Sequence, residues 1–174
     1  MSYVPIVASL EDVQPIPGAD RVVSATARGY RLVVSADREP GDLGVVFPAD
    51  GVLDTSFALA AGLLRVHPST GEKLGGMLEL PPRIRCLTIR GVRTDALWIP
   101  MVQFHMALDG MREGYKSRPG FTRDGDEIGP ILLHDGQGRE CVVTVARKYL
   151  PPVRAQRSGG GTGAPPLARQ DLDA

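Results

Sequence analysis

Short apolar runs separated by glycine, proline and aspartate turns dominate the first half of the chain. Residues 3–13 mix apolar and polar positions at near-alternation, the pattern of a first strand with one buried face. Two prolines and a glycine in Pro15-Ile16-Pro17-Gly18-Ala19-Asp20-Arg21 exclude regular structure there and force a turn. Residues 22–27 and 30–35 are each rich in β-branched and aromatic residues, and the Arg28-Gly29 pair between them predicts a hairpin. Glu39-Pro40-Gly41-Asp42 predicts another turn, and residues 43–48 a compact strand ended by Pro48. Four short strands this early, separated by turn residues, predict an all-β barrel or sandwich rather than an alternating α/β fold.

The pattern then changes. Alanine and leucine dominate residues 57–64, which predicts one short helix with Thr55 or Ser56 as its N-cap. Residues 67–82 carry glycines and prolines and read as a surface excursion. From Arg83 to Pro100 two apolar runs return, with Ile84, Leu87, Ile89 and Val92 interleaved among Arg83, Arg85, Arg90 and Arg93. That interleaving predicts two half-buried strands whose exposed side carries guanidinium groups. Residues 102–108 suit a strand end or a helical turn, residues 110–130 are dominated by charge and glycine, and residues 141–146 read as a strand. From Pro151 the chain holds Pro-Pro, a glycine run and several arginines with almost no large apolar residue. Such a composition cannot offset the entropy of ordering. The expected organisation is one domain over residues 1–150 and a flexible linker or tail over residues 151–174.

Charge sharpens this picture only through its distribution. The 174 residues hold 20 Lys+Arg and 20 Asp+Glu, so net charge draws the whole chain to no polyanion. Within residues 1–60, however, eight acidic residues outnumber four arginines, whereas in residues 83–123 eight cations face three carboxylates. Any polyanion site belongs to the second segment. For Arg83, Arg85, Arg90 and Arg93 two readings stand: a solvated strand face, or a track for phosphates. Arg21, at the end of the Pro-Gly turn, and Lys116 are further candidates.

Cys86 and Cys141 are far apart and lack the near Cys or His neighbour of a common zinc site, so both are expected to be buried free thiols. His67, His105 and His134 are scattered, and no residue is assigned a catalytic or metal-binding role. No apolar stretch reaches membrane-spanning length, and a cytoplasmic protein with no membrane partner is expected. Trp98 lies in an apolar run and is expected to be buried. Tyr30 and Tyr115 are the aromatics expected nearest the surface.

Three stretches in order resemble one family. Pro15-Ile16-Pro17-Gly18-Ala19-Asp20-Arg21, then Gly41-Asp42-Leu43-Gly44-Val45-Val46-Phe47-Pro48-Ala49-Asp50-Gly51-Val52-Leu53, then Arg83-Ile84-Arg85 through Ile89-Arg90-Gly91-Val92 are similar to the N-terminal OB-fold domain of a family of ATP-dependent RNA ligases. Lys148-Tyr149-Leu150-Pro151-Pro152 and the Pro-rich tail resemble that family's linker. The resemblance implies a small OB-fold-like barrel that binds nicked or structured duplex RNA and orients it for sealing by a nucleotidyltransferase domain, in cis or in trans. It implies ATP and magnesium for that other domain and no cofactor for this chain. None of Lys73, Lys116 and Lys148 stands in the Lys-x-Asp/His-Gly setting from which such ligases form a lysyl-adenylate, so the chain is expected to stop where the catalytic domain begins. The alternative reading is a stand-alone module for tRNA or other structured RNA, or a protein-interaction adaptor. On the RNA reading, Arg83, Arg85, Arg90, Arg93, Arg21 and Lys116 contact the nucleic acid. Scarce aromatic residues favour backbone contact and shape readout over base stacking.

Overall fold

The computed structural model describes residues 3–117 and 123–152. In chain order these residues form β1 (Ile6–Ser9), β2 (Glu11–Pro15), β3 (Val22–Ala27), β4 (Tyr30–Ser35), β5 (Leu43–Pro48) and β6 (Gly51–Leu53). Helix α1 (Thr55–Ala60) follows, then β7 (Leu87–Ile89), β8 (Val92–Thr94), β9 (Ala96–Pro100) and helix α2 (Met101–Asp109). The last elements are β10 (Lys116–Ser117), β11 (Ile131–His134), β12 (Glu140–Val143) and β13 (Ala146–Lys148). The fold is all-β in character, with two short helices where one was expected. All but the first two residues of the expected C-terminal tail, 153–174, lie outside the described residues.

The central layer is the antiparallel sheet β1-β5-β9. It is buried on both faces, and strand alternation sorts its side chains between two cores. Val7, Val45, Phe47 and Ile99 point to one core, where α1, α2 and β11 contribute Phe57, Phe104, Leu108 and Leu133. There Phe47, Phe57 and Phe104 meet as a tilted trio with ring centroids 5.6–6.4 Å apart. Ala8, Val46, Ala96 and Trp98 point to the other core, against Ala25, Ala27, Leu32 and Val34 of the sheet β2-β3-β4. Trp98 is buried, as expected, and its Nε1–H donates to the Ala8 carbonyl at 3.0 Å. Gly44 makes room for it, because a Cβ there would stand 2.2 Å from the Ile99 carbonyl oxygen and 2.4 Å from the indole.

Two expected strands are each divided. Residues 3–13 bend after Ser9, so β1 stays in the central sheet while β2 crosses to β3. Leu10 anchors the bend by bonding the 41–42 turn in both directions, and Asp12 takes a positive φ of 47°. Residues 141–146 likewise leave β11 after Val143 and reach β6 as β13. Between them the Val145 carbonyl accepts from Asp54 N–H. The strand pairing does not close into a barrel among the described residues. Where β4 approaches the start of β9, no ladder forms. Instead Asp95 N–H donates to the Arg31 carbonyl at 3.1 Å, and the Asp95 carboxylate accepts from Arg31 N–H at 2.7 Å and Nε at 3.2 Å.

Both two-residue hairpins have the backbone that their residues demand. Arg28-Gly29 joins β3 to β4 and Arg90-Gly91 joins β7 to β8, all four with positive φ, as a primed turn requires. The helix N-cap is Asp54, not Thr55 or Ser56. Its carboxylate accepts from Phe57 N–H at 3.0 Å, and an ionised oxygen outcompetes a hydroxyl for an unpaired helix N–H. Residues 102–108 resolve as helix because Phe104, Ala107 and Leu108 fall on one face, which α2 turns to the core. The free thiols are not buried as expected. Cys141 is half-buried and Cys86 is exposed, because residues 85–86 precede the β7–β8 hairpin outside any strand.

Candidate nucleic-acid interface

Strand β6 gathers cations that are distant in sequence. On one edge it pairs with β13, with Arg147 opposite Val52 and Lys148 opposite Gly51. On its other edge Val52 bridges to Arg83, and Ile84 N–H donates to the Gly51 carbonyl at 2.8 Å. Residues directly opposite across antiparallel strands share a face, so Arg83, Val52 and Arg147 lie in one row. Tyr3 fixes the corner that leads into β6. Its hydroxyl donates to the Pro48 carbonyl at 2.7 Å, and its ring occupies the space that a side chain at Gly51 would need. Burial pushes the Tyr3 phenol well above its ordinary range, which keeps it protonated as a donor.

Arg83 is the joint of this surface. Its guanidinium lies 4.0 Å from the centroid of the Tyr149 ring and donates to Asp50 at 3.1 Å, while its Nε is buried with no partner. Tyr149 is held in turn by its own N–H, which donates to the Asp50 carbonyl at 2.8 Å. The stack is a cation–π contact worth about 0.5–2 kcal/mol, and the half-exposed ion pair adds at most about 1 kcal/mol. Together they hold Tyr149 and the start of the following segment against β6.

A groove lies on each side of this stack. One, of about 420 Å³, is lined by Arg65, Arg83, Arg85 and Glu79 with Met77, Leu80 and Leu87. Those three apolar side chains are 41–47% exposed, so the groove sets apolar surface among guanidinium groups. The other, of about 440 Å³, is lined by Val52, Pro81, Arg147, Lys148, Tyr149 and Leu150. The excursion at residues 65–79 forms a wall of the first groove because it folds back on itself. Arg65 N–H donates to the Leu78 carbonyl and Leu78 N–H to the Leu63 carbonyl, both at 2.8 Å. Gly76 permits this, since a Cβ there would meet the backbone of Leu63 and Leu64 at 2.4 Å.

The cations differ in how free they are. Arg65 is 3.8 Å from Glu79 with both side chains largely exposed, and Arg83 is committed to Asp50 and Tyr149. Arg85, Arg147 and Lys148 are exposed and form no ion pair among the described residues. Five cations thus face two carboxylates, Asp50 and Glu79, across the two grooves. Arrayed free guanidinium and ammonium groups beside exposed apolar and aromatic surface can neutralise phosphates while ribose and base edges rest on that surface.

The residues expected to contact nucleic acid fall in three places. Arg83 and Arg85 share the first groove. Arg93 is exposed on β8 opposite Thr88, and Arg90 sits in the hairpin turn rather than on a strand face. The Arg90 guanidinium reaches to 4.0 Å from the Cβ position of Gly18, so the hairpin tip meets the 16–21 turn that ends in exposed Arg21. Lys116 stands apart on β10, opposite His134 in the sheet β10-β11-β12. Sequence reasoning did not select Arg65, Arg147, Lys148 or Tyr149. The Arg147-Lys148-Tyr149 triplet following an apolar strand carried the same signal as the Arg83–Arg93 run and was the one available clue.

No family model matches the chain, and no curated protein matches it. Among solved structures the chain is similar to mutant forms of an RNA ligase from Naegleria gruberi. With the form bound to AMP and manganese the identity is 23% and the TM-score 0.42, covering 57% of this chain and 28% of that one. An apo form gives 22% and 0.43 over 59% and 29% of the two chains. A form with ATP and manganese gives 20% and 0.47 over 72% and 32%. This chain therefore spans less than a third of the length of those ligase structures.

Proposed function

We propose that this chain is the RNA-holding module of an RNA ligase. In this reading it binds nicked or structured duplex RNA, and a nucleotidyltransferase domain in cis or in trans carries out adenylate transfer and phosphodiester formation with ATP and magnesium. The observation that carries the proposal is the pair of grooves on either side of the Arg83–Tyr149 stack, with Arg85, Arg147 and Lys148 free beside them. The order of the three sequence stretches that resemble the ligase N-terminal domain supports the same reading.

The chemistry assigned to this chain is positioning. Free cations on β13 and beside β6 hold successive phosphates, and the two grooves suit backbone and 2′-hydroxyl contact with an A-form helix. Arg83 contributes by keeping Tyr149 and β13 in register with β6, so that Arg147 and Lys148 stay in the second groove. It acts as a positioning residue.

The test compares nicked RNA duplex, intact RNA duplex and single-stranded RNA of the same sequence by fluorescence anisotropy. Preferential binding of the nicked duplex supports the ligase module. Equal binding of nicked and intact duplex would instead favour a general structured-RNA module, and failure to bind any of the three would refute the proposal. With labelled ATP and magnesium the chain alone should form no covalent AMP adduct. An adduct would place the active lysine within these residues and overturn the proposed division of labour.

A further inference from the structure

Strand β12 presents an open edge. In the sheet β10-β11-β12 it pairs only with β11, with Leu133 opposite Cys141 and Ile131 opposite Val143. At the connecting turn Asp135 N–H donates to the Arg139 carbonyl at 3.0 Å, which fixes the phase of the ladder. Hydrogen-bonded pairs alternate along antiparallel strands, so Cys141 and Val143 bond β11 while the backbone groups of Glu140 and Val142 point away from it. Among the described residues those outward N–H and C=O groups have no backbone partner.

Strand edges are usually shielded by proline, a bulge, cations or brevity. Strand β2 has Pro15 and a register shift between Glu11 and Gln14, β10 has two residues, and β13 carries exposed Arg147 and Lys148. Strand β12 pairs regularly over four residues and has no proline, bulge or cation. On the outer face of the sheet Leu132 and Val142 stand opposite each other, 46% and 65% exposed, so apolar surface runs up to the open edge.

We propose that β12 pairs antiparallel with β12 of a second copy of this chain, across a two-fold axis at Cys141, and joins the two sheets into one. The strand is complementary to itself in this register, as a two-fold contact requires. With the axis at Cys141, Glu140 lies opposite Val142 of the second copy and Val142 opposite its Glu140, so every outward backbone group finds a partner. Moving the axis to Glu140 or Val142 pairs only half of those groups within β12, and at Glu140 it also sets two carboxylates face to face. In the favoured register the two Cys141 residues form a non-hydrogen-bonded pair with Cα atoms about 4.5 Å apart, within disulfide range. A contact this small makes a weak dimer, with a Kd on the order of 0.1 mM. The pairing does not depend on the RNA reading.

Sedimentation velocity of the whole chain from about 10 µM to about 1 mM should show a reversible monomer–dimer equilibrium. Val142→Glu places a carboxylate opposite Glu140 twice across the axis and should weaken the dimer by about tenfold or more, whereas Val142→Lys places opposite charges there and should tighten it about threefold. The position is exposed, so thermal unfolding of the monomer should be nearly unchanged in both. In a Cys86→Ser background, diamide should produce a reducible covalent dimer, and adding Cys141→Ser should abolish it. A monomer at the highest concentration would overturn the proposal. Equal loss of dimer in the two Val142 variants would refute the register, because a generic edge contact does not distinguish the sign of the charge. A dimer that diamide does not link through Cys141 would place the contact on another face and overturn the pairing of β12.

Discussion

Replacing Arg85 and Arg147 by alanine should halve the salt dependence of RNA binding. Both side chains are exposed and form no ion pair among the described residues, so their charges are available to phosphates at no cost in broken contacts. With Lys148 and the loosely paired Arg65 they make about four phosphate contacts, and each contributes about −0.9 to the slope of log K against log salt. The wild-type slope is then about −3.6, a loss of roughly 150-fold in affinity between about 50 and 200 mM salt. The double variant keeps two contacts, with a slope of about −1.8 and a loss of roughly 12-fold over the same range. Anisotropy titrations of labelled nicked duplex at several salt concentrations measure both slopes. Thermal unfolding should be nearly unchanged, because neither side chain is buried. Parallel lines for wild type and variant would refute the groove assignment. Arg90→Ala with Arg93→Ala probes the hairpin, which lies outside those four contacts, and should leave the slope unchanged. If this pair alone moved the slope, the RNA would lie along the hairpin and the 16–21 turn instead.

Three further outcomes concern the frame around the site. Gly44→Ala should destabilise the fold by about 3 kcal/mol in urea denaturation, since its Cβ would press on the Ile99 carbonyl and the Trp98 indole with no flexible atom to yield. Asp54→Ala should cost about 1 kcal/mol by the same measurement, through loss of the α1 cap. The hydrogen bond from Gln137 N–H, joined by those from Arg139, holds the Asp135 carboxyl below its ordinary 3.8. A depressed folded-state value stabilises the protein above the unfolded-state value, and that contribution is lost as pH falls below about 4. Urea midpoints of wild type and Asp135→Asn should therefore converge on acidification, and a constant difference would show that the carboxylate charge contributes nothing.

Much of the local structure was legible because it depends on neighbours in sequence. Arg28-Gly29 with its flanking strands, the compact strand ending at Pro48 and the burial of Trp98 all follow from turn chemistry and apolar content within a few residues. The division of residues 3–13 and 141–146 was hidden, because those bends answer to partners elsewhere: the 41–42 turn for Leu10, and Asp54 for Val145. Cys86 was misplaced for a related reason, since an apolar run reads as a buried strand whether or not another strand is there to pair with it.

The interface divides along the same line. By itself the chain determined that cations concentrate between Arg83 and Arg123 and that Arg83 and Arg85 interrupt an apolar run. Only the tertiary structure decided that Arg147, Lys148 and Tyr149 join them, that Arg90 turns toward Gly18, and that Lys116 stands on another sheet. The physical reason is the pairing of β6. One short strand takes Arg83 on one edge and β13 on the other, and a register set by backbone hydrogen bonds brings into one row side chains that no local pattern relates.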